Sequence, residues 1–224
     1  MFVRKPDTSS FGKILGELLL IIIGINIALW FEGRFEDMRE AKTERQYLIG
    51  LAADLETDLS QFDDVIKLSR RKIERLQVAS QELNTLVDES NDRQAEIIFM
   101  PSSYLFFEPA DFTYESMQES GDFQLLSEPQ VKSGILRLVR RYRQIDQLQK
   151  NFLSALDSEY IPLIMARFDI SAGTVTDPAL MRDQMFLNFF TYTLQDTDAM
   201  LQAYTGTREM AASLQSDIQA QLDK

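Results

Sequence analysis

Hydrophobic positions along the chain fall into three patterns. From Ile14 to Phe31 the run ILGELLLIIIGINIALWF is apolar on every face, broken by one charge, Glu17, and one amide, Asn26. A helix from Phe11 to Phe31, rising about 1.5 Å per residue, is roughly 30 Å long and matches the hydrocarbon core of a bilayer. The pattern predicts a transmembrane helix at 11–31, a short tail at 1–10 and an extramembrane domain at 32–224. Ala28, Leu29, Trp30, Phe31 and Glu32 hold no small-x-small cleavage site, so the run reads as an uncleaved anchor and not a signal peptide. A buried helix of a soluble protein is the competing reading.

The second pattern is a heptad. Glu32 to Arg45 carries charges at helical spacing, as if the anchor helix continued into water. From Leu48, alternating steps of four and three select Leu48, Ala52, Leu55, Leu59, Phe62, Ile66, Ser69, Ile73, Leu76, Ser80, Leu83 and Val87. All but the two serines are apolar, which predicts one long helix over about 32–90. Leu51, Val65, Leu68 and Leu86 widen the stripe, which favours a helical bundle over a bare two-stranded coiled coil.

Shorter amphipathic segments make the third pattern. Residues 91–108 read as a packed connector broken at Pro101. A helix is predicted at about 109–120, stopped by Gly121. The next, about 127–160, is capped by Ser127 and carries Val131, Ile135, Leu138, Tyr142, Ile145, Leu148, Phe152 and Leu156 on one face. Pro162 and the loop 171–177 interrupt the chain, and helices follow at about 178–190 and 191–222, with Gly206 weakening the last. The fold class is all-α: one N-terminal transmembrane helix continuing into an elongated helical bundle.

Composition narrows the chemistry. The chain has 224 residues with 35 acidic and 23 basic side chains, a net charge of −12 that argues against nucleic acid as a partner. The last third is the most acidic part: residues 151–224 hold ten carboxylates and four basic groups. There is no cysteine and no histidine. Disulfides, thiolate and imidazole metal sites, and cysteine or Ser-His-Asp nucleophiles are thereby excluded. No glycine-rich phosphate loop occurs and no cofactor is implied.

Orientation follows from the flanks. Arg4, Lys5 and Lys13 precede the apolar run closely, with Asp7 as the only acidic offset. Residues 32–45 carry four basic and five acidic groups. The basic leading flank favours a cytoplasmic N-terminus and an extracytoplasmic domain at a bacterial cytoplasmic (inner) membrane. Within the span, Gly12, Gly16, Gly24 and Ala28 share a four-residue spacing that permits close helix approach. Glu17 falls on nearly the same face, one turn after Lys13. It either pairs with Lys13 or snorkels, or it contacts another membrane subunit. Asn26, about 180° around the helix, is placed to bond a second neighbour.

Two blocks of the sequence, residues 11–59 and 112–142, resemble together a family of bacterial single-pass membrane proteins known as a domain of unknown function (number 6090). The resemblance rests on Gly12, Lys13, Glu17, Gly24 and Asn26; on Tyr47, Leu48 and Asp54; and on Ser120, Gly121, Leu125, Leu126 and Glu128. Trp30-Phe31-Glu32 departs from that family's amide-rich exit from the span. The resemblance covers roughly the first 150 residues and implies membrane anchoring and a shared fold. It implies no activity.

Candidate sites are few. Glu115, Glu119 and Asp122 form a carboxylate cluster, read as a solvated acidic face ahead of a metal site. Lys67, Arg70, Arg71, Lys72 and Arg75 form one basic patch, and Arg137, Arg140, Arg141 and Arg143 a second. If they converge they make an anion or headgroup site; otherwise they pair with the acidic C-terminal helices. A continuous helix would hold Arg71 roughly 60 Å beyond the span, which weakens the headgroup version. The aromatic string from Phe99 to Phe123 reads as core. The expected role is non-enzymatic: a membrane-tethered interaction or scaffold subunit. Its partners would be the lipid bilayer, other membrane subunits, or a second copy through the transmembrane helix. An extracytoplasmic helical-bundle ligand sensor acting through a partner is the alternative, since only about ten residues precede the span. A carboxylate-dependent hydrolase is a minor one.

Overall fold

The computed structural model describes residues 8–83 and 91–223, with side chains from 17 to 83 and from 92 to 223. Its helices are α1 (Thr8–Glu82), α2 (Asn91–Phe99), α3 (Phe112–Ser120), α4 (Pro129–Ala155), α5 (Ile161–Arg167) and α6 (Gln184–Leu222). Two-residue strands β1 (Phe168–Asp169) and β2 (Thr174–Val175) form an antiparallel hairpin with Phe168 opposite Val175. The chain divides into two units, Met1–Tyr47 and Leu48–Lys224. The fold class is all-α, as the periodicity predicts.

The Leu48–Lys224 unit is a bundle of α1, α4 and α6 with the shorter elements laid on it. Its first core cluster joins Phe62, Val65 and Ile66 of α1 to Phe107, to Ile145 and Phe152 of α4, and to Met200 and Tyr204 of α6. A second gathers Leu76, Ala79 and Leu83 with Ile97, Ile98, Tyr160, Ile164, Phe186 and Phe189. The stripe on α1 is therefore buried within this chain's own bundle.

The seam on α1 is a heptad, but half of it lies one residue from the predicted one. The buried side chains are Leu48, Leu51, Leu55, Asp58, Phe62, Val65, Ser69, Leu76, Ala79 and Leu83, and half-buried Lys72 completes their steps of three and four. Ile66 is buried beside Val65, whereas Leu59 and Ile73 are half-buried and Ser80 is exposed. On α4 a one-residue shift in the opposite direction buries Gln149 while Leu148 stays half-buried.

Several boundaries differ from those predicted. The long helix ends at Glu82 and not near residue 90; residues 84–90, with Leu86 and Val87, lie outside the described residues, as does the tail at 1–7. The first half of the predicted connector is helical: α2 puts Ile97 and Ile98 into the core. Glu128, not Ser127, is the residue at the N-cap of α4, and the Ser127 hydroxyl accepts from Gln221 Nε2 at 3.0 Å. Pro162 does not break the helical path. A π-turn at Leu156–Tyr160 leads from α4 into α5, and Pro162 occupies the first turn, where its missing N–H costs least.

The predicted break at Thr191 is absent. Only a 3₁₀ turn, Leu180–Arg182, precedes α6, which runs unbroken through Gly206. Its start is fixed by Asp183, whose carboxylate accepts from the Met185 N–H at 2.8 Å and pairs with Arg167 at 2.6 Å. Buried Thr193, Thr197 and Thr207 each donate to the carbonyl four residues earlier, so α6 carries polar residues inward without orphaned hydroxyls. Gly121 ends α3 as predicted, at φ 80°, a left-handed conformation that favours glycine.

Candidate functional site

In the Met1–Tyr47 unit the apolar run is uncovered. Its large apolar side chains from Leu18 to Phe31 are 47% to 71% exposed, and α1 is long and apolar enough here to cross a membrane. The competing reading, a buried core helix, does not hold for a run with none of its apolar window covered. Asn26 Nδ2 donates to the Ile22 carbonyl at 2.8 Å, within its own helix. Its carbonyl oxygen keeps acceptor capacity. A side chain at Gly24 would meet nothing within 4 Å, and Ala28 and Glu17 are exposed. The side chains around Gly12, Lys13 and Gly16 lie outside the described residues. Trp30 is flanked by Phe31, edge to face at 5.2 Å, and by the Arg34 guanidinium 5.9 Å from its ring.

In the Leu48–Lys224 unit the polar seam positions do specific work. The segment between α2 and α3 has no helix of its own, and its N–H groups, like those of the first turn of α3, need acceptors. Three side chains on one face of α1 supply them in reverse order. Gln61 Oε1 accepts from the Glu108 N–H at 3.3 Å, Asp58 Oδ1 from Ala110 at 2.7 Å, and Asp54 Oδ2 from Thr113 at 3.0 Å. Gln149 of α4 holds Phe107 by both polar groups: Oε1 accepts from its N–H at 2.9 Å and Nε2 donates to its carbonyl at 3.1 Å. The Tyr204 hydroxyl donates to the same Oε1 at 2.9 Å. Phe107 then stacks on Phe62 with centroids 3.9 Å apart. Gly50 belongs to the same device, since a Cβ there would lie 2.8 Å from Thr113 Oγ1.

Asp58 is the buried carboxyl of this ladder. The Tyr142 hydroxyl donates to its Oδ2 at 2.5 Å. Desolvation pushes its pKa from the ordinary 3.8 up to about 6, against the lowering effect of the two hydrogen bonds. Burial and the Asp58 charge push the Tyr142 phenol up as well.

Another polar seam residue, Lys72, opens onto a cavity of about 300 Å³ between α1, α4, α6 and the connector. Its ammonium donates to the Pro101 carbonyl at 3.1 Å and sits 5.1 Å from the centre of the Phe152 ring. Burial lowers its pKa to about 8, partly offset by the nearby Asp196 carboxylate. Asp196 is itself raised by desolvation, with Lys72 and Tyr192 opposing. Its Oδ2 is buried and has no hydrogen-bond partner.

The predicted basic patches do not meet at this cavity. Arg71, Lys72 and Arg75 line it, whereas Arg141 lines a separate groove with Gln144, Gly206 and Met210. Arg75 pairs with Glu96 of α2 at 2.9 Å. Arg137 bonds the Ser133 hydroxyl and Arg141 the Gln144 amide. Lys67, Arg70 and Arg140 are exposed surface groups. The acidic C-terminal helix pairs with α1 through a different residue, its own Arg208, on Asp63 at 2.7 Å. Among the described residues no three Asp or Glu side chains are grouped to hold a metal ion, Glu115, Glu119 and Asp122 included.

Sequence reading missed Asp58, Gln149 and Asp196. The signal for the first two is the strict alternation of threes and fours once polar residues are allowed into it.

The sequence pattern of a family of unknown function, DUF6090, matches residues 17–151. No curated protein and no solved structure matches the chain.

Proposed function

Since the chain belongs to the DUF6090 family, we propose that it is a non-enzymatic interaction subunit held by a single span in a bacterial cytoplasmic membrane. Its N-terminus is cytoplasmic and the Leu48–Lys224 unit extracytoplasmic. The observation that supports this most is the uncovered apolar run from Leu18 to Phe31. In water, eleven large apolar side chains about half exposed would drive association; in a bilayer, lipid covers them. Trp30 and Arg34 then lie at the interface, where an aromatic ring and a cation are favoured.

The polar groups of the span support docking on another helix. Asn26 retains an acceptor after its bond to Ile22, and Glu17 carries a carboxyl group; both polar groups are costly against lipid. The open surface at Gly24 and Ala28 permits close approach of a second helix beside them. Native mass spectrometry of the chain extracted in mild detergent should show an oligomer or a bound membrane protein. Asn26→Leu with Gly24→Leu should weaken that complex by about tenfold, equivalent to ~1.4 kcal/mol. A clean monomer at all concentrations would overturn the reading. Orientation is tested by a reporter fused at residue 224, which should be active only outside the cytoplasm.

A further inference from the structure

We propose that the cavity beside Lys72 binds a free amino acid with an apolar or aromatic side chain. Arg71 and Lys72 would take its carboxylate, Asp196 its ammonium, and the rings of Tyr104 and Phe106 its side chain. This goes beyond the anchoring role and stands independently of it, because every residue involved belongs to the Leu48–Lys224 unit.

Four features select this ligand class. The cavity, at about 300 Å³, lies at the small end of ligand sites and suits one small organic molecule. Its cations are available. Lys72 uses one of three ammonium protons on Pro101, and Arg71 is exposed with no ion-pair partner among the described residues. Arg75, already paired with Glu96, contributes less.

Asp196 lines the same cavity, close enough to Lys72 to act on its charge, with a carboxylate that Tyr192 bonds but whose Oδ2 is buried with no donor. That oxygen is itself closed off from solvent, but its residue lines the cavity, and an acceptor without a donor marks a place where one is missing. The carboxylate's terminal torsion is soft, so either oxygen can turn to a donor. Finally, Tyr104 and Phe106 stack at 4.6 Å and, with Met200 and Phe152, give the cavity an apolar wall.

A carboxylate without an amine would meet Asp196 as a like charge. An amine without a carboxylate would meet Lys72 and Arg71. Only a zwitterion is attracted by both ends, and the apolar wall favours one with a hydrocarbon or ring side chain.

The test is calorimetric titration of the full chain in mild detergent with L-leucine and L-phenylalanine. 4-Methylpentanoate serves as the carboxylate-only control and 3-methylbutylamine as the amine-only control. Saturable binding of at least one amino acid is expected, with each control at least about tenfold weaker, the usual scale of one charge-assisted contact. Asp196→Asn, which keeps the shape, should weaken the amino acid about tenfold and remove its advantage over 4-methylpentanoate. Lys72→Met should abolish binding; if that variant melts before titration, Arg71→Gln at the exposed mouth must weaken it instead. No heat and no melting shift at about 10 mM of either amino acid would overturn the proposal. So would equal binding of a control, or an Asp196→Asn variant that binds as the parent does. Loss of membrane association would leave these outcomes unchanged, which separates this proposal from the anchoring role.

Discussion

Replacing Gln149 by alanine is expected to destabilise the Leu48–Lys224 unit by about 4 kcal/mol, from the loss of three buried hydrogen bonds centred on one side chain. The change strands the Phe107 N–H and carbonyl, which lie away from water, and leaves the Tyr204 hydroxyl only the weak acceptor Met200 Sδ at 3.7 Å. Each unpaired group carries roughly 1–3 kcal/mol of desolvation. The lost side chain also leaves a void behind the Phe62–Phe107 stack. For a unit of this size the melting temperature should fall by about 10 °C. Thermal unfolding followed by far-UV circular dichroism measures it. Tyr204→Phe, which removes only one of the three bonds, should cost about 1 kcal/mol. If Gln149→Ala melts within a degree or two of the parent, the clamp does not hold the connector.

The second large effect is a pH dependence centred on Asp58. Its folded-state pKa, about 6, lies above the ordinary 3.8. The protonated carboxyl is thus the form the folded bundle favours. Its contribution is fully present below about pH 4 and is lost as pH rises through about 6. Two pKa units correspond to roughly 3 kcal/mol. Carboxylates such as Asp63 and Asp183, held low by arginine or N–H partners, act in the opposite sense, so the parent's profile alone is a sum.

Comparison with Asp58→Asn isolates the one group. The amide keeps an acceptor for the Ala110 N–H and can donate to Tyr142 in place of receiving from it. Asp58→Asn should match the parent near pH 3.5 and exceed it at pH 7.5, the gap opening across about pH 4–6. Chemical denaturation at a series of pH values reads the gap. A difference that is flat with pH, or that widens on acidification, would sink the assignment. Asp58→Ala strands both donors, and its deficit against the parent, about 3 kcal/mol near pH 4, should shrink as pH rises through about 6.

These residues show where sequence reading loses resolution. On α1 the apolar-first choice takes Leu59 and Ile73, while the bundle buries Asp58 and brings half-buried Lys72 to the cavity. On α4 it takes Leu148 in place of Gln149. Both registers share Leu48, Leu55, Phe62, Ser69, Leu76 and Leu83, so the helix itself is legible from either. What differs is a rotation of the intervening contacts by one residue, about 100° of helix. A polar residue enters the seam when a neighbouring segment brings it a partner. That partner is a backbone N–H at Ala110 or Phe107, a carbonyl at Pro101, or a facing carboxylate at Asp196. None of these is near in sequence.

Local physics therefore determines much of this protein from sequence alone. An uninterrupted apolar run makes a helix that is long and apolar enough to cross a membrane. A sustained 3-4 repeat makes long helices, and Gly121, at a left-handed turn, stops one. Missing cysteine and histidine restrict the chemistry before any fold exists.

Tertiary structure decided the rest. It made α2 helical by giving Ile97 and Ile98 a core to enter, and carried the chain through Pro162 by a π-turn. It also placed a lysine and a carboxylate from residues 72 and 196 at one cavity. The physical reason is the range of the forces. Helix periodicity and capping act within a few residues, whereas burying a charge is decided by whichever distant groups desolvate it and whichever answer it.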